Sequence, residues 1–81
     1  MTRVTLYGKP GCHLCSEARS VIDQVRASHE FELEEVDITI DPGLFRQYGE
    51  RIPVVAIDGV ERFEYLVDPD ALARSLDRVE P

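Results

Sequence analysis

Positive charge is scarce in this sequence. Nine Lys and Arg stand against sixteen Asp and Glu, a formal net charge of −7. Polyanions select the opposite balance, so nucleic acid and anionic membrane surfaces are excluded as partners. Long apolar runs are missing as well, and nothing approaches the roughly 20 residues that span a bilayer. Met1-Thr2-Arg3 leads straight into "VTLY" (4–7), with no h-region and no small-residue cleavage site. A secretory leader is therefore not expected, and the cytoplasm is the expected compartment. Cysteine is limited to two residues. That is too few for a disulfide framework. Without a second C-x-x-C or an H-x-x-x-H, a four-ligand structural zinc site lacks its ligands.

Repeats, low-complexity tracts and linker-like stretches are also absent. At 81 residues with 43% apolar content, the chain reads as one domain, 1–81, working as a monomer. "RVTLY" (3–7) is β-branched and aromatic and ends at Gly8, so it predicts a strand. "GKPG" (8–11) predicts a loop. From Cys12 to about Ser28 the period is helical, with Leu14, Ala18, Val21, Ile22 and Val25 on one face. "FELEEVDI" (31–38) predicts a second strand whose apolar phase changes between Leu33 and Val36. A sheet covered on both faces explains that change without a bulge. "DPGLFRQYG" (41–49) predicts a short helix with Asp41 as cap, Pro42 first and Gly49 at its end.

"PVVAI" (53–57) predicts a strand, and Asp58-Gly59 is a two-residue hairpin signal that returns "VERFEYL" (60–66) antiparallel. "DPDALARSLDRV" (68–79) predicts a last helix capped by Asp68, with Leu72, Leu76 and Val79 buried. The order is β-α-β-α-β-β-α. The first two strands are expected parallel through a right-handed crossover. The fold class is α/β, a mixed four-stranded sheet with three helices.

Chemistry is concentrated in "YGKPGCHLCSEARSVIDQV" (7–25), which holds Cys12 and Cys15. A helix beginning at Cys12 aims its unpaired first-turn amides and its positive dipole end at that sulfur. Lys9, the only lysine, adds positive charge, as does His13 when protonated. A thiol pKa lowered from about 8.5 to about 7 raises the thiolate fraction at neutral pH to about half. Disulfide attack requires that thiolate. Cys15 lies one turn on, on the same helix face and at the edge of the apolar stripe, hence more buried and less acidic. The pair reads as an exposed nucleophile and a shielded resolving thiol. Two alternatives stand beside this one. The cysteines are inert core residues, or they form a metal or iron–sulfur cluster carrier, with His13 as a further ligand for a soft ion such as copper(I). His29 and the acidic cluster from Glu30 to Asp37 read as solvated surface.

Taken together, the Tyr7–Cys15 run, "RIPVVAIDG" (51–59) and the element order resemble a glutaredoxin-type member of the thioredoxin-like superfamily. "DPGLFRQYGERIPVVAIDGVE" (41–61) resembles a group of short glutaredoxin-like proteins. The resemblance implies a thiol–disulfide oxidoreductase with Cys12 as nucleophile and Cys15 as resolving thiol. It implies a cis Pro53, with Ile52 offering its backbone to an incoming disulfide-bearing strand. Tyr7, Lys9, His13, Arg51, Ile52 and Pro53 would line the substrate site, Lys9 assisting thiolate formation or holding a glutathione carboxylate.

The chain departs from the family at two points. Position 13 is His where Pro is usual. The typical Gly-Gly-x-x-Asp glutathione segment is replaced by "RFEYLVDPD" (62–70), where Tyr65, Leu66 and Val67 would crowd the tripeptide. No bound cofactor is expected. The substrate would be a disulfide-containing protein or small thiol. The electron donor would be glutathione as a diffusible reductant or a thioredoxin-reductase-like flavoenzyme.

Overall fold

The computed structural model describes residues 2–78. Strand β1 (Arg3–Gly8) leads to helix α1 (His13–Arg26) and strand β2 (Glu32–Asp37). A single 3-10 turn (Ile38–Ile40) and helix α2 (Pro42–Tyr48) follow, then β3 (Val54–Ile57), β4 (Val60–Glu64) and α3 (Pro69–Asp77). The strands lie in the order β2-β1-β3-β4. β1 and β2 are parallel, and β1–β3 and β3–β4 are antiparallel. This is the four-stranded mixed sheet with three helices, in the order β-α-β-α-β-β-α, that the sequence predicts.

Alternation along β1 and β3 divides their apolar side chains between two cores. On one face Val4 and Leu6 of β1 and Val55 and Ile57 of β3 pack with Ala18, Ile22 and Val25 of α1 and with Leu72 of α3. On the other, Val54 of β3 packs with Ile38, Tyr48 and Ile52, with Tyr7 and Leu44 against them. A side-chain period of two places neighbouring residues on opposite faces, so β3, covered on both, is apolar throughout. Its four residues are all buried.

β2 pairs with β1 without interruption from Arg3↔Glu32 to Gly8↔Asp37. The phase change between Leu33 and Val36 thus involves no bulge there. The register shift lies elsewhere, between Val55 and Ala56 opposite β4.

Local signals set the helix starts and the hairpin. Asp41 Oδ1 accepts from the Gly43 and Leu44 amides at 2.8 and 3.4 Å, and Asp68 Oδ2 from the Ala71 amide at 2.8 Å. Each cap is followed by proline at the first helical position, where a missing N–H costs nothing. Asp58 and Gly59 adopt φ of 49° and 85°, the two left-handed residues of a type I′ hairpin.

Four details differ from expectation. α1 stops at Arg26, short of Ser28, and a 3-10 turn occupies Ile38–Ile40, where the sequence predicts no separate element. β4 ends at Glu64 because Tyr65 turns to a φ of 64° and leaves the sheet. His29 is half-buried rather than freely solvated: its side chain is 23% exposed and its Nε2 lies 3.0 Å from Asp77 Oδ1, linking the segment after α1 to α3. Val79, expected in the buried stripe of α3, lies outside the described residues. No helix among the described residues is long and apolar enough to cross a membrane.

Candidate active site

Cys12 is the N-cap of α1, in extended conformation with φ −88° and ψ 114°. Its Sγ accepts the Cys15 amide at 3.2 Å, and its carbonyl accepts the Ser16 amide at 3.1 Å. No acidic residue lies in the first turn of α1. The sulfur therefore occupies the place where an N-cap oxygen usually sits. It receives an orphan amide and the positive end of the helix dipole, with no neighbouring carboxylate in that turn to oppose them.

Cys15 is buried and Cys12 half-buried. Their Cα atoms are 5.2 Å apart and the sulfurs are joined as a disulfide, a separation within the range such bonds require. Gly8, at the end of β1, allows the close approach of Cys15. A Cβ at Gly8 would stand 3.0 Å from Cys15 Sγ and 3.2 Å from its Cβ. Among the described residues, no three His, Cys, Asp or Glu side chains gather as a metal site.

Cys15, Ile52 and Tyr48 share one buried cluster, and Tyr7 and Cys12 pack against it. Ile52–Pro53 is a cis peptide, and Pro53 is fully buried. The Ile52 amide donates to the Tyr48 carbonyl at 3.1 Å and is thereby engaged within the protein. Lys9 is exposed and lines a cavity of about 380 Å³ with Cys15, Arg19, Glu35 and Asp37. His13 is 90% exposed, with its Nε2 3.8 Å from Glu17. Arg51 is engaged by two carboxylates: it contacts Glu61, and its Nη2 and Nε lie 2.7 and 3.0 Å from Glu64 Oε1. Both acids raise its pKa above the ordinary value, so its cation faces β4.

Sequence reasoning overlooks Tyr48 and reads Tyr65 only as bulk after the last strand. Tyr48 stacks on Tyr7, with ring centroids 4.3 Å apart and planes at 18°. Its hydroxyl donates to Glu61 at 3.4 Å. Burial first, then Tyr7 and Glu61, push its pKa up to about 12. The i, i+4 pair Leu44/Tyr48, both in the second core, was the available signal. Tyr65 straps the proline loop. Its amide donates to the Pro53 carbonyl at 2.9 Å and its hydroxyl to the Glu50 carbonyl at 2.7 Å. Nothing in the local sequence announces that contact.

Comparison with known proteins agrees with this geometry. The X-ray structure of the XcR50 protein from X. campestris superposes with a TM-score of 0.79 at 31% identity, over 95% of this chain and 99% of that one. The uncharacterised Mycobacterium tuberculosis protein Rv0508 is 27% identical over 94% of this chain and 84% of its own. A thioredoxin from Halobacterium salinarum shares the fold, with a TM-score of 0.70 at 19% identity over 99% of this chain and 78% of that one. A disulfide-bonded cysteine pair at C-x-x-C spacing within a glutaredoxin-like domain supports a redox role for the thiols. A family model for the glutaredoxin-like domain (DUF836) matches residues 3–77, and the chain belongs to that family.

Proposed function

We propose that this protein is a dithiol–disulfide oxidoreductase in which Cys12 attacks and Cys15 resolves. The observation that carries the reading is the Cys12 sulfur at the cap of α1, accepting the Cys15 amide at 3.2 Å. Amides and dipole stabilise negative charge on that sulfur, and a thiolate is the species that attacks a disulfide. The Cys12 thiolate forms a bond to one sulfur of the substrate disulfide, and the other sulfur leaves as thiolate. Cys15, deprotonated, then attacks Cys12 Sγ and expels the second substrate thiolate. The protein loses two electrons and two protons, and the substrate becomes two thiols.

Two electrons from a separate thiol or flavoenzyme donor restore the pair. Glutathione is one candidate donor and a thioredoxin-reductase-like enzyme the other. Substrate would pass between Tyr7 on one side and the Ile52–Pro53 segment on the other, with the Ile52 carbonyl as its main-chain acceptor. A reducing compartment such as the cytoplasm suits the cycle, because the pair must return to the dithiol.

The test is trapping. Cys15→Ser mixed with an oxidised substrate should accumulate a mixed disulfide at Cys12, whereas Cys12→Ser should form none. If Cys15→Ser traps nothing while Cys12→Ser turns over like the wild type, the roles are wrong.

A further inference from the structure

A groove of about 340 Å³ runs between α1 and the segment joining β4 to α3. Its apolar walls are Leu14 and Val21 on one side and Tyr65 and Leu66 on the other, and its acids are Glu17 and Asp68. Leu66 is 71% exposed and Tyr65 is 48% exposed, a large apolar surface left open along α1. Two links tie the groove to the thiol pair. Leu14 lies between Cys12 and Cys15 in the chain, and Tyr65 bonds the carbonyls of Glu50 and Pro53 on either side of Ile52.

No Lys or Arg lines this groove. The cations that could serve an anionic ligand are directed elsewhere. Arg51 is held by Glu61 and Glu64, and Arg19 by Asp23 and Glu35. Lys9 lines the separate cavity that Cys15 also lines, where Glu35 and Asp37 offset its charge. An anionic tripeptide disulfide would therefore bring its carboxylates to an acidic rim on a chain of net charge −7. Like charges at such a rim oppose encounter and opposite charges speed it.

From this we infer the substrate class of the proposed oxidoreductase: a polypeptide disulfide whose flanking residues are apolar and basic, seated in the Leu14–Leu66 groove. The inference rests on the oxidoreductase reading. Apolar residues next to the cystine cover Leu14, Tyr65 and Leu66, and an arginine or lysine meets Glu17 and Asp68. The chemistry is unchanged: Cys12 bonds one cystine sulfur, the other leaves as thiolate, and two electrons pass to the substrate.

The experiment uses the reduced full-length protein and four disulfides. These are a short cystine peptide flanked by Leu and Arg, its counterpart with Leu and Glu, oxidised glutathione, and neutral hydroxyethyl disulfide. Each rate of protein oxidation is divided by the rate of dithiothreitol with the same disulfide, which removes intrinsic reactivity. At low salt the Leu/Arg peptide should react about tenfold faster than the Leu/Glu peptide or oxidised glutathione. That preference should collapse at about 1 M NaCl, where the screening length falls to about 3 Å. In Glu17→Arg, at an exposed site, the ratio of the two peptide rates should fall several-fold.

Equal normalised rates, a preference for oxidised glutathione, or a preference that survives both high salt and Glu17→Arg overturns the inference and leaves the oxidoreductase reading standing. Failure of all four disulfides, the neutral one included, to oxidise the reduced pair takes down both.

Discussion

Tyr48 lies flat against Tyr7 at 4.3 Å while its hydroxyl reaches Glu61 on β4. One ring thus joins the end of α2 to the strand that leads into the thiol loop. The neutral hydroxyl is favoured there, because burial and the neighbouring Tyr7 and Glu61 all oppose a phenolate. A folded-state pKa raised from 10.0 to about 12 means that the folded protein holds the proton after the unfolded chain has released it. By linkage, the contribution is fully present below pH 10 and is lost as pH rises toward 12. Urea unfolding across that window should show a steeper loss of stability in the wild type than in Tyr48→Phe, which keeps the stack and cannot titrate. Parallel curves would remove the assignment.

Gly8 is a packing requirement of the site. Its missing Cβ leaves room for Cys15, whose sulfur would otherwise be met at 3.0 Å. Neither side can yield easily, since Gly8 sits in the paired end of β1 and Cys15 in the second core. Gly8→Ala should therefore destabilise the protein by about 1–3 kcal/mol, the usual cost of overpacking. Urea midpoints of the oxidised proteins, compared at equal slope, measure it.

Much of this architecture is written locally, and the parts that are not share one cause. Asp41-Pro42, Asp68-Pro69 and Asp58-Gly59 are short-range devices whose geometry needs no partner, so the starts of α2 and α3 and the hairpin are legible from residue type. The thiol pair is legible for the same reason: the loop Lys9-Pro10-Gly11 and the helical period after it put Cys12 at a cap. The end of β4 is not legible. "VERFEYL" continues an ordinary strand composition, and only the tertiary bonds from Tyr65 to Glu50 and Pro53 explain its departure at φ 64°. His29 and Asp77 are 48 positions apart, and their contact follows from the packing of α1 on α3. Arg51 lies in a substrate-facing segment by resemblance. Its pairing with Glu61 and Glu64 follows from where the β3–β4 hairpin sets those carboxylates.

That Arg51 pairing predicts a salt-dependent loss. Arg51→Met keeps an unbranched side chain of similar length but removes the guanidinium, whose carbon lies 5.4 Å from the Tyr48 ring centroid, and leaves Glu61 and Glu64 without their shared cation. The melting temperature should fall at low ionic strength, and the difference from wild type should shrink as NaCl is raised toward 1 M. Screening weakens the lost ion pairs in one protein and the new repulsion in the other. A deficit independent of salt would mean that Arg51 acts through packing alone.

Cys12 serves as a helix cap and as the proposed nucleophile, and two substitutions separate these duties. Serine is among the preferred N-cap residues, and its oxygen can accept the amide that Cys12 Sγ accepts at 3.2 Å. Reduced Cys12→Ser should therefore match the reduced wild type in stability to within about 1 kcal/mol. Alanine offers no acceptor, and reduced Cys12→Ala should lose about 0.5–2 kcal/mol, the range for losing an N-cap. Neither variant should form a mixed disulfide at position 12. The two measurements answer different questions. Equal stability of the serine and alanine variants would show that the 3.2 Å contact contributes nothing to holding α1. A serine variant that still turned over disulfides would move the nucleophile to Cys15, whatever the cap energetics.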